Sequence, residues 1–109
     1  MYGIQNKTYT SLIRYFFNEN DIKRVILFGS RAKATYTYNS DIDLYISYYG
    51  DKPYIIMDQI HDLAGIYSVD IVFEENANSV LKDQILRDGI TIYDQNETVK
   101  RSKGSSISI

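Results

Sequence analysis

The sequence predicts an α/β (α+β) domain in which helices pack against a small β-sheet. Segments with apolar residues at helical spacing alternate with short β-branched runs, the pattern of mixed helix and strand. The first of these runs, Val25-Ile26-Leu27-Phe28, leads into Gly29-Ser30, a strand closed by a tight turn. A second, Leu44-Tyr45-Ile46, is headed by Asp41-Ile42-Asp43. Side chains alternate along a strand, so Asp41 and Asp43 share one face while Ile42 and Leu44 point into the core. Two adjacent acids repel unless something cationic lies between them. A phosphate-accepting turn facing a carboxylate pair suggests a metal-bridged nucleotide.

The chain has 109 residues, enough for one domain and one core. Its hydrophobic fraction of 44% and aromatic fraction of 14% are those of a globular protein. No apolar run approaches the roughly 18 residues of a membrane span, and the N-terminus lacks a signal-peptide pattern, which points to the cytoplasm. The absence of cysteine excludes disulfides, thiolate zinc sites and cysteine nucleophiles. A formal net charge of −2 argues against an extended nucleic-acid footprint, which needs clustered Lys and Arg.

In chain order, Tyr9, Leu12, Ile13, Phe16 and Phe17 mark an amphipathic packing helix over Ile4 to Phe17, stopped by Asn18-Glu19-Asn20. Ile22 to Phe28 reads as the first strand, suited to a buried position. Gly29 permits a bend and a close approach, and Ser30 offers a hydroxyl where a short helix can begin. Arg31 and Lys33 add positive charge there, and for Lys33 surface solvation is the preferred reading. Thr35 to Ser40 reads as an irregular loop with Tyr36 and Tyr38 exposed or half-packed, and Asn39-Ser40 is turn chemistry leading into a strand over Asp41 to Ser47.

Asp51-Lys52-Pro53 opens a second helix, with Asp51 as the cap, Pro53 in the first turn and Gly65 at the end. Ile56, Ile60, Leu63 and Ala64 form its inner face. His61, the single histidine, lies beside that stripe and outside any ligand cluster. Tyr67 to Phe73 reads as a third strand, with Val69, Ile71 and Phe73 on one face and Asp70 and Val72 on the other. A carboxylate in so apolar a run needs a partner. Either Asp70 pairs with Arg31 or Lys33, or it joins Asp41 and Asp43 as a third metal-binding or basic carboxylate, the reading preferred here. Ser79 can cap a short helix with Leu81, Ile85 and Leu86 inside, ended by Asp88-Gly89. Ile90 to Tyr93 reads as a final edge strand, and after Asn96 the composition becomes that of a polar, mobile tail.

Each motif is weak alone. Together, GSRA at Gly29–Ala32, SDIDL at Ser40–Leu44 and Val69-Asp70 in a later strand resemble the polymerase-beta-like nucleotidyltransferase superfamily, and most closely its minimal nucleotidyltransferase (MNT) family. The resemblance runs from the first helix through Tyr93. It implies a polymerase-beta-like nucleotidyltransferase fold, a small mixed β-sheet with helices packed against it, in a domain over residues 1–96 followed by the tail, 97–109. By the resemblance, Gly29, Ser30 and Arg31 bind the nucleotide. Asp41, Asp43 and Asp70 are the catalytic and metal-binding residues. Two Mg²⁺ ions are the implied cofactor and ATP the substrate, with AMP transferred to a hydroxyl and pyrophosphate released.

One departure concerns Ala34, where family members commonly carry Gly. A positive φ there would strain the turn. The resemblance further implies a partner, a small helical HEPN-type toxin encoded nearby and held in a hetero-oligomer, with this chain as an antitoxin attaching AMP to a tyrosine of the toxin. Direct nucleic-acid or membrane binding is not expected. Two alternatives stand beside this: a binding module that only masks its partner, and transfer to a small molecule such as an aminoglycoside.

Overall fold

The computed structural model describes residues 1–97; the expected tail beyond Glu97 lies outside the described residues. Its elements are α1 (Asn6–Asn18), β1 (Ile22–Phe28), α2 (Gly29–Ala32), β2 (Ile42–Tyr48), α3 (Pro53–Ala64), β3 (Val69–Phe73), a 3₁₀ turn (Glu74–Asn76), α4 (Ser79–Asp88) and β4 (Ile90–Asp94). The strands form one mixed sheet in the order β3-β2-β1-β4. β1 is antiparallel to β2 and to β4, whereas β2 and β3 run parallel. That parallel step is spanned by α3, as parallel neighbours need a long crossover.

Strand alternation divides the molecule into two layers. Val25, Leu27, Leu44 and Ile46 face Leu12 and Phe16 of α1 and Ile56, Ile60 and Ala64 of α3 in the main core. Ile26 and Tyr45 point to the other side, where Ile85 of α4 covers them. Helix α4 covers only part of that second face. At the end where β1 stops, Leu81 and Ile85 of α4 pack with Phe28.

The structure corrects several boundaries. The third strand starts at Val69, not Tyr67, because the Tyr67 N–H still donates to the Ala64 carbonyl at the end of α3. Asp51 does not cap α3; the cap position is Lys52, whose side chain makes no capping bond and whose N–H donates to the Tyr48 hydroxyl at 3.2 Å. The cap of α4 is Asn78, whose Oδ1 accepts the Leu81 N–H at 2.8 Å, and Ser79 is already helical. Leu63 and Leu86 are 37% and 61% exposed, so neither belongs to an inner face. Periodicity placed them correctly on their helices, but each lies at the margin of its apolar stripe. The edge strand β4, the stop at Gly89 and the exposed His61 are as expected.

Candidate active site

The site begins where β1 ends. Gly29 has φ +73°, a left-handed conformation that side chains disfavour. A Cβ built there would collide with Oδ2 of Asp43. The sequence suggests that Gly29 admits a ligand; in the structure the group lying against its Cα is the carboxylate of Asp43. The antiparallel register explains this, since Phe28 stands opposite Asp43 and Gly29 follows Phe28.

The carboxylates converge from two strands. Asp43 and Asp70 are register partners across the parallel β2–β3 pair, so both project from the same face at the same level. Asp41 precedes β2, two residues before Asp43 and exposed to solvent. Partial burial raises the pKa of Asp43, the negative charges of Asp70 and Asp41 raise it further, and the positive charge of Arg31 lowers it. Among the described residues no group of three or more acidic or histidine side chains is placed to hold a metal ion.

A stability prediction follows. The folded protein holds the Asp43 proton more tightly than the unfolded chain does, so this group favours folding as the pH falls. Its destabilising effect is complete above the folded-state pKa and absent below the unfolded value of about 4. Asp43→Asn is therefore expected to melt a few degrees above the parent near neutral pH without divalent cations. The gap should close on acidification, and it is modest because the carboxylate is only partly buried. Thermal melts across that range check this, and a variant less stable than the parent at neutral pH overturns it.

The structure places Arg31 elsewhere than the nucleotide-binding expectation did. It is 1% exposed, and its guanidinium donates to the carbonyls of Tyr2 (3.1 Å) and Ser40 (2.8 Å). The rings of Tyr36 and Tyr67 lie 5.2 and 5.3 Å from its Cζ. Buried and committed in this way, it presents no donor to a phosphate in solvent.

The doubt attached to Ala34 is justified. Helix α2 ends with the Thr35 N–H donating to the Ser30 carbonyl at 3.0 Å, a Schellman closure that puts Ala34 at φ +61°. An L-residue there costs about 1–2 kcal/mol. Ala34→Gly removes that strain at some expense in unfolded-chain entropy, for a net gain of about 0.5–1 kcal/mol. A denaturant titration should show a higher midpoint with unchanged slope, and an unchanged or lower midpoint counts against the strain.

A cleft of about 270 Å³ lies beside the turn, lined by Phe28, Gly29 and Lys33 and by Leu81, Arg87 and Asp88 of α4, with Arg87 Nε 3.5 Å from Asp88 Oδ1. Sequence reasoning treated Lys33 as solvated surface and passed over Arg87. Their proximity depends on how α4 folds back, for which the sequence carried no local signal. A wider depression of about 360 Å³ on the outer side of α1 is lined by Tyr9, Thr10, Ile13, Arg14 and Phe17, none of them a carboxylate.

A family model described as "Polymerase beta, Nucleotidyltransferase" matches residues 10–98. No curated protein matches the chain. Among solved structures, the chain resembles a toxin–antitoxin crystallised with AMP-PNP, at a TM-score of 0.63 and 20% identity, over 92% of this chain and 90% of that one. It also resembles a chain in the complex of a tri-AMPylated Shewanella oneidensis HEPN toxin with its MNT antitoxin, at a TM-score of 0.58 and 21% identity, over 96% and 85%. A protein described as a minimal nucleotidyltransferase aligns at a TM-score of 0.58 and 28% identity, over 75% and 83%. The first two likenesses concern the fold.

Proposed function

The chain belongs to the polymerase beta nucleotidyltransferase family, and on that premise we propose that it moves AMP from ATP to a hydroxyl of a HEPN-type toxin, acting as that toxin's antitoxin in the cytoplasm. The observation that carries the reading is the register of Asp43 with Asp70 beside the Gly29 turn. A binding module that only masks its partner has no use for like charges brought together at a cost. The comparisons support the partner class: the same fold occurs in a complex with a tri-AMPylated HEPN toxin and in a toxin–antitoxin crystallised with AMP-PNP.

The donor set fits hard divalent cations. Asp41 and Asp70 raise the proton affinity of Asp43, a repulsion that a bound cation would relieve. Mg²⁺ typically takes one or two carboxylates and completes its shell with water and substrate phosphate. Asp41, Asp43 and Asp70 would hold the two ions, which supply charge stabilisation at the entering and leaving oxygens.

The residues of this chain do the rest. Gly29 and Ser30 bind the phosphate chain, which extends into the cleft walled by Lys33 and Arg87. Asp70, exposed at the start of β3, accepts the proton of the acceptor hydroxyl. The acceptor oxygen bonds to the α-phosphorus, the α–β phosphoanhydride bond breaks, and pyrophosphate leaves. Catalysis of this kind is mainly alignment and electrostatics.

The test is intact-mass spectrometry of the protein mixed with ATP, Mg²⁺ and the product of the neighbouring gene. A gain of one or more AMP units on the partner supports the reading. A stable complex without any gain replaces it with masking, and neither complex nor gain sends the search to small-molecule acceptors.

A further inference from the structure

Arg31 is costly to keep where it is. It is a buried cation whose Nε has no hydrogen-bond partner, and among the described residues it forms no ion pair. Taking an ion out of water costs several kcal/mol, and hydrogen bonds to two neutral carbonyls offset that only in part. Stability alone is therefore a poor account of it.

Its contacts give a better one. Arg31 follows Ser30 directly in the Gly29 turn. Its Nη2 holds the carbonyl of Ser40, the residue before Asp41. One face of its guanidinium environment is the ring of Tyr67, three residues before Asp70. The segments leading to Asp41 and Asp70 are then joined to each other, since the Ile42 N–H donates to the Ser68 carbonyl at 2.8 Å. Further support comes from the ring of Tyr36 and from the Tyr2 carbonyl. Gly3 packs so close to this group that a Cβ there would meet Tyr36 and lie 2.9 Å from Nη1. One side chain thus touches the segments that lead to Asp41 and to Asp70 from its place in the Gly29-Ser30 turn.

We propose that Arg31 is a positioning residue, whose planar guanidinium sets the Ser40–Asp41 peptide and the approach to Asp70 relative to the Gly29-Ser30 turn. The planar fork matters: a lysine ammonium keeps the charge but cannot bond both carbonyls in the same plane while lying against two rings. The catalytic meaning of this role rests on the nucleotidyl-transfer reading; the geometry it imposes does not.

The test therefore has two readouts on Arg31→Met and Arg31→Lys. The first is amide hydrogen exchange at Thr35, Ser40 and Ile42, whose N–H groups are bonded to Ser30, Thr37 and Ser68. The second is calorimetric binding of ATP with Mn²⁺ at a temperature where each variant is folded. The expected result is exchange about tenfold faster at those three amides, with Val25 to Leu27 in β1 unchanged, and Mn²⁺–ATP affinity weaker by a similar factor. Arg31→Lys should show the same local pattern, and it decides the matter if Arg31→Met does not fold. Exchange unchanged at the three amides, or accelerated equally across the sheet, overturns the positioning role. A parent protein that binds no Mn²⁺–ATP overturns the transferase reading instead, while the exchange pattern still decides the role of Arg31.

Discussion

Replacing Asp41 and Asp43 together by Ala is expected to lower the rate of AMP transfer by about 10³-fold or more, while leaving the protein folded. The two halves of that result have separate causes. Asp41 is exposed and precedes β2, so its removal takes no packing from the core. Asp43 is partly buried and repelled by Asp70, so losing its charge relieves strain in the metal-free protein. What disappears is the negative field that would hold divalent cations against the phosphates. Asp70 alone leaves one carboxylate where the chemistry calls for ions shared between several. The measurement is partner mass after incubation with ATP and Mg²⁺, with circular dichroism to confirm the fold. Transfer at an unreduced rate would sink the assignment of these carboxylates. A variant that no longer transfers AMP yet still protects cells from the partner would show that masking suffices.

The fold and the site differed in how far they could be read from the sequence. β1 was legible to the residue, because Ile22 to Phe28 is bounded by turn chemistry on both sides. Strand alternation put Asp41 and Asp43 on one face of a strand over Asp41 to Ser47, whereas β2 begins at Ile42 and Asp41 precedes it. Asp70 was placed on the correct face of its strand, but its level opposite Asp43 needed the parallel register, which no local pattern encodes. The burial of Arg31 was not legible for a related reason. The resemblance implied nucleotide binding for it, and only the tertiary fold brings Tyr2, Ser40, Tyr36 and Tyr67 around it. The strain at Ala34 was signalled by the family's usual Gly at that place, and the Schellman closure of α2 supplies its physical cause. Features set by short-range backbone geometry could be read; those set by which strands become neighbours could not.

Gly29→Ala is expected to damage activity and stability together, and through two separable terms. At φ +73° an L-residue costs about 1–2 kcal/mol, whatever space surrounds it. The new methyl would also occupy the place of Asp43 Oδ2, so that carboxylate must rotate away. A displacement of about 1 Å in a reacting constellation can cost about 10²-fold in rate, and a loss of that order is expected here. A double-mutant cycle separates the terms. In an Asp43→Ala background the offending oxygen is gone, so Gly29→Ala should cost only the backbone term, about 1–2 kcal/mol. Against the parent it should cost measurably more. Equal costs in the two backgrounds would mean that Asp43 does not rest on Gly29. A difference would tie the glycine after β1 to the placement of the carboxylate as well as to the turn, which is a physical reason for Gly and Asp to occur together at this site.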